Sequence, residues 1–231
     1  MLQNLGQYTR YLEKLPDTLA HEMNNPLNVV NSSLDYLEYQ RPDLIDDKYL
    51  TRARSGIFRL RTILTSLTEA ANLKEALRNE QSDEERFSLV ELVTGCVDGY
   101  QLSNPSRAFR NHFPSSPAFI QGTPDRIAQL LDKLIDNAVQ FGRERSAIIV
   151  RINELPNAIQ LSVINDGPAL PTELSARVFD PMVSNSTDAR HSHLGLGLYI
   201  VREIAEFHGA TVIAKNRSDA DGVEVTVNFG K

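Results

Sequence analysis

The sequence predicts an α+β chain in two parts: a two-helix hairpin that dimerises into a four-helix bundle, then an α/β sandwich. Three observations support this reading. Residues 1–79 carry apolar positions at intervals of three and four, the period of a helix with one buried face. A charged stretch nearly free of apolar residues, "KEALRNEQSDEER" at 74–86, comes next. Beyond it, short strands alternate with amphipathic helices, the mixture that layers helices on one face of a mainly antiparallel sheet.

The elements follow in order. In residues 8–40 an apolar stripe runs through Leu12, Leu15, Leu19, Met23, Pro26, Val30, Leu34 and Leu37. "QRPDLIDD" then interrupts, with Pro42 and clustered aspartates as turn chemistry. A second helical pattern over about 48–78 passes through Leu50, Ala53, Ile57, Leu60, Leu64, Leu67 and Ala71. Two such helices joined by a short polar turn form an antiparallel hairpin. A lone hairpin has only a narrow seam to bury, so pairing with a second copy is expected. The hairpin is therefore assigned to 1–79, a linker to 80–86 and a second domain to 87–231. In that domain "RFSLVELVTGCVDGY" reads as a strand and a helix, and "AFIQGTPDRIAQLLDKLIDNAVQFG" as a strand, a turn and a helix from Pro124. "AIIVRINEL" and "AIQLSVIND" are strands around a Pro-Asn turn, and "HLGLGLYIVREIAEFHGA" is a glycine turn opening a helix. "TVIAKN" and "GVEVTVNF" close the chain as a hairpin of strands.

Composition narrows the function classes. The 231 residues are 41% hydrophobic and 23% charged, ordinary values for a globular chain. A net charge of −6 argues against a nucleic-acid binder, which shows a basic face. A single cysteine, Cys96, forms no internal disulfide and suits a reducing compartment; its setting is that of a small buried hydrophobe. No apolar run approaches the ~18 residues that span a bilayer.

Five short stretches stand out: "LAHEMNNPL", "DKLIDNAVQFG", "VINDGPALP", "VFDPMVS" and "HLGLGLYIV". In this order and spacing they resemble the H, N, first glycine, F and second glycine boxes of the bacterial sensor histidine kinase catalytic core. The resemblance covers residues 8–229. Details such as "MVSN" and "HLGLGLYIVREIAEFHGA" further resemble a proteobacterial subgroup associated with sortase systems. The family implies a histidine-kinase-type ATP-binding domain after the hairpin, with ATP and Mg²⁺ as cofactors. It also implies a homodimer that phosphorylates a histidine and passes the group to the receiver domain of a response regulator. The location implied is cytoplasmic, as the cytosolic part of an inner-membrane sensor whose membrane region is absent from this chain.

The residues suit those roles. Asn137 offers a neutral, hard amide oxygen to Mg²⁺ shared with phosphate. Asn165 stands where the family has an aspartate that accepts from the adenine amino group; an amide carbonyl still accepts, without charge. Asp166 beside it points elsewhere in this reading. Gly167 matches the first glycine of its box, and Ala169 replaces the second. Gly195, Gly197 and Leu198 open a helix whose N-terminus favours phosphate. The polar "SNSTDARHSH" before them has the length of a lid, with His191 and His193 as solvated residues. Two positions depart from the family: Lys133 replaces an asparagine, and Gln140 replaces a lysine or arginine. Seven residues apart, they share a helix face with Asn137, and Lys133 either meets a phosphate as a point charge or is solvated.

The opening helix supplies the nucleophile. His21 lies about 200° around the helix from Leu19, so it faces away from the apolar seam. Asn25 follows one turn later on the same face. Neutral imidazole attacks phosphorus through Nε2 if Glu22 holds and accepts the Nδ1 proton. By the family pattern Asn25 orients water for hydrolysis of a partner's aspartyl phosphate. Pro26 removes the backbone bond to the Glu22 carbonyl, so a bend or soft point is expected there. A zinc protease is excluded, because the second ligand of HExxH is Asn25. A gyrase-like ATPase lacks its general base, since Lys133 stands at that glutamate's position. The non-enzymatic alternative is a degenerate kinase that binds or only dephosphorylates a regulator.

Overall fold

The computed structural model describes residues 2–80, 84–183 and 194–231, with side chains from residue 21 onward. The chain divides into two compact units, Met1–Leu73 and Lys74–Lys231.

The first unit holds α1 (Leu2–Gln40), a 3₁₀ turn (Pro42–Leu44) and most of α2 (Lys48–Asn79). α1 runs unbroken through Pro26, because a proline removes one ladder bond and its neighbours keep theirs. The aspartates between the helices have a local task. The Asp47 carboxylate accepts from the Tyr49 amide at 2.8 Å and the Leu50 amide at 3.1 Å, capping the start of α2. Arg54 of α2 donates to Glu38 at 2.9 and 2.7 Å and to Asp35 at 2.7 Å, tying the two helices together. Leu27 and Ile57 are buried on their facing sides. The expected stripe on α1 is corrected here. Leu34 is half-buried, but Met23 (41%), Val30 (47%) and Leu37 (39%) remain exposed, and buried Leu27 was outside the stripe. Two helices meet along one row of side chains, which leaves a second apolar row of α1 uncovered.

The second unit begins inside α2. Charges in and just before the linker expected at 80–86 find partners. Lys74 meets Glu203, Glu80 meets Arg126, and Glu85 and Arg86 already pair with Gly122 and Gln121 in a strand. After α2 come β1 (Glu85–Ser88), α3 (Leu89–Ser103), β2 (Phe109–His112), β3 (Phe119–Gly122) and α4 (Pro124–Phe141). They are followed by β4 (Ile148–Leu155), β5 (Ala158–Asp166), α5 (Thr172–Ser175), α6 (Gly197–Phe207), β6 (Thr211–Asn216) and β7 (Gly222–Gly230).

β1 and β3 form a two-stranded antiparallel ribbon. The main sheet has the order β2-β4-β5-β7-β6; β2 is parallel to β4 and every other pair is antiparallel. Its cross-strand rows Val150–Val163–Val225 and Ile152–Leu161–Val227 are buried. They face the apolar sides of α4 and α6, which pack on each other and on the sheet. α4 buries Ile127, Leu130, Leu131, Leu134, Ile135 and Ala138, a strip of positions three and four apart, while Asp125 and Asp136 stay exposed. The other side of the sheet carries polar rows, with Gln160 donating to Asn228 at 2.7 Å. β2 and α5 are additions to the elements read from sequence: each is four residues long, too short for a period to register.

Candidate functional site

In the first unit, His21, Glu22 and Asn25 are all exposed on α1, and Pro26 beside them is exposed too. A nucleophile there meets no packing barrier to solvent.

In the second unit, Lys133, Asn137 and Gln140 are half-buried on α4. One turn beyond Asn137, the carbonyl oxygen of Phe141 sits 2.3 Å from where a Cβ on Gly167 would be. Only glycine lets the end of β5 come this close to the end of α4. Asn165, the penultimate residue of β5, is 5% exposed and lies against Gly142. Its Nδ2 donates to the Asp166 carbonyl at 3.3 Å. Asp166 turns its own carboxylate to Arg217, which also holds Asp219 at 2.8 Å. The Asp166 carboxylate is therefore engaged by Arg217. Beside these residues lies an open depression of about 450 Å³ lined by Phe141, Gly142, Arg143, Gly167, Pro168 and Ala169, with Asp221 at the rim.

The second glycine pair divides its work. Gly195 adopts φ +66° with its Cβ position 2.3 Å from the Val183 carbonyl oxygen, so it closes a left-handed turn against the end of the F-box stretch. Gly197 starts α6 and has open space where a side chain would go. Leu198 next to it is half-buried. The stretch 184–193, with His191 and His193, lies outside the described residues.

These features fit a nucleotide. The open depression at Gly142 and Gly167–Ala169 has room for a base, and the α6 start at Gly197 has open space for phosphate beside helix amides. Among the described residues, no group of three or more His, Cys, Asp or Glu could hold a metal. A magnesium ion held by Asn137 would take its other ligands from phosphate and water, the usual habit of that ion.

Residues 122–230 match the family described as histidine kinase-, DNA gyrase B-, and HSP90-like ATPase. Over 96% of its length the chain is 23% identical to the sensor protein kinase WalK of Staphylococcus haemolyticus, of which it spans 37%. Over nearly its whole length the chain is similar to sensor histidine kinase catalytic cores. Two solved structures share its fold. Full-length ShkA in complex with AMPPNP aligns with TM-score 0.69 at 19% identity, over 94% of this chain and 45% of that one. The histidine kinase ThkA in complex with the response regulator protein TrrA aligns with TM-score 0.64 at 23% identity, over 97% of this chain and 63% of that one.

Sequence reasoning missed several residues that tie the second unit together. Arg107 donates to the carbonyls of Val139 at 2.9 Å and Arg143 at 2.7 Å, closing the C-terminal end of α4 where carbonyls lack helical partners. His208 at the end of α6 accepts from the Thr123 amide through Nε2 at 3.0 Å and donates from Nδ1 to the Ile204 carbonyl at 2.7 Å. Burial pushes its pKa below the ordinary histidine value, and the two bonds fix a neutral ring. Arg217 and Asp166 are 51 residues apart, so no local pattern announces their pairing. A signal did exist for His208, which precedes Gly209 at the helix end where a cap is expected.

Proposed function

We propose that this chain phosphorylates itself on His21 with ATP and passes the group to an aspartate on the receiver domain of a response regulator. The observation that carries this is an unobstructed imidazole on α1 in the same chain as an ATPase-family domain. Nε2 of His21 attacks the terminal phosphorus of ATP; the N–P bond forms as the bond to ADP breaks. Glu22 accepts the Nδ1 proton. Asn137 would hold Mg²⁺, whose chemistry there would be to neutralise charge on the phosphate oxygens. Gly195, Gly197 and Leu198 bind the phosphates, while Asn165 and Gly167 bind the base. Asn25 orients water for the separate phosphatase reaction, in which water attacks the regulator's aspartyl phosphate and inorganic phosphate leaves.

Met23, Val30 and Leu37 form the face of α1 on which a second copy docks to complete a four-helix bundle. No described helix is long and apolar enough to cross a membrane. The domain works on the cytoplasmic side, joined to a membrane sensor through residues beyond this chain. The hairpin and the ATP-binding domain keep these separate tasks.

The test is incubation with γ-labelled ATP and Mg²⁺. Acid-labile label on the protein, lost in His21→Gln, is the expected result. Free phosphate without labelled protein, or no turnover at all, would overturn the kinase reading.

A further inference from the structure

The end of α2 grips the two helices that bear the nucleotide residues. Glu80, just past Asn79, accepts from Nε of Arg126 at 2.6 Å and pairs its other oxygen with Nη2 of the same guanidinium. Arg126 lies in the first turn of α4 and also donates from Nη1 to Gln129 at 2.8 Å. Lys74, about 9 Å back along the helix, reaches Glu203 of α6 at 3.2 Å. Between the two anchors Leu77 is 4% exposed, so the strap is apolar at its centre and ionic at its ends. Glu80 and Arg126 have side chains only 29% and 20% exposed, which shields their forked pair from the screening that weakens surface ion pairs.

α4 carries Asn137, and α6 begins at Gly197. The span between those residues follows from how α4 lies on α6, and the strap bonds to both helices at once. We propose that Glu80 and Lys74 are positioning residues for the nucleotide site, setting the α4–α6 spacing from outside the pocket. This inference rests on the nucleotide reading above. Its consequence is that a shift in the end of α2 changes nucleotide affinity, and bound nucleotide in turn holds that end in place.

The experiment uses the whole chain and displacement of a fluorescent ADP analogue by ATP, together with thermal unfolding and label incorporation at saturating ATP. Glu80→Gln and Lys74→Met are each expected to weaken ATP binding by about fivefold or more, the range of real coupling between sites. Labelling at saturating ATP should change less than about twofold, the signature of lost binding and intact chemistry. The charge-swapped pair Glu80→Arg with Arg126→Glu should recover most of the affinity. If the variants lower the unfolding temperature and leave ATP affinity unchanged, the strap is structural only and the proposal falls. If the unaltered chain fails to bind the analogue, the nucleotide reading falls first and takes this one with it.

Discussion

A methyl group added at Gly167 would lie 2.3 Å from the Phe141 carbonyl oxygen, and one added at Gly197 would meet nothing within 4 Å. The two glycines are alike in sequence and opposite in physics. Gly167→Ala should destabilise the domain by about 1–3 kcal/mol through overpacking against backbone that cannot yield. Gly197→Ala should stay within about 0.5 kcal/mol of the parent and reveal itself only in weaker ATP binding, if phosphate approaches there. Denaturant unfolding beside nucleotide titration checks both. Asn165 offers a second contrast at this scale. Replacing it with aspartate puts a charge at a site 5% exposed, so stability should fall by about 1–3 kcal/mol. ATP should nonetheless bind more tightly, because an ionised acceptor makes the stronger bond to an amino group. An Asn165→Asp chain that loses stability and gains no affinity would remove Asn165 from base recognition.

The neutral ring of His208, just past α6, bonds to the Thr123 amide at the start of α4. Its two nitrogens already have partners that require one proton in total: Nδ1–H faces the Ile204 carbonyl, and Nε2 faces the Thr123 amide. A second proton would set donor against donor. The histidine pKa is lowered by burial, so the native state binds fewer protons than the unfolded chain. This contribution to stability is complete above the unfolded value of about 6.5. It is lost as pH falls through the lower folded value. Chemical denaturation at pH 8, 6.5 and 5 should show the loss, and His208→Ala should start lower and vary less. α4 itself was legible in the sequence, down to its buried Ile127, Leu130, Leu131, Leu134 and Ile135, because a long amphipathic helix repeats its message every turn. β2 and α5 were not, since four residues complete no repeat.

Across the molecule, the apolar row of Met23, Val30 and Leu37 is left uncovered by the hairpin. Val30→Glu with Leu37→Glu should leave α1 helical by circular dichroism and shift the chain to a monomer in light scattering; an unshifted mass would refute docking by this face. The two-part plan and the boxes were readable because each is local in sequence. The ties between distant segments were not: nothing near Glu80 names Arg126, and nothing near Asp166 names Arg217. The same distinction between near and far governs how the sheet comes together. β4 with β5 and β6 with β7 are hairpins that close over short turns, whereas β5 meets β7 across a long intervening chain, with Ser162 and Thr226 paired 64 residues apart. That slow zipper runs through Asn165, opposite Val223. The base-binding role proposed for Asn165 therefore depends on the longest loop closure among the paired strands described, one that no local turn sets up.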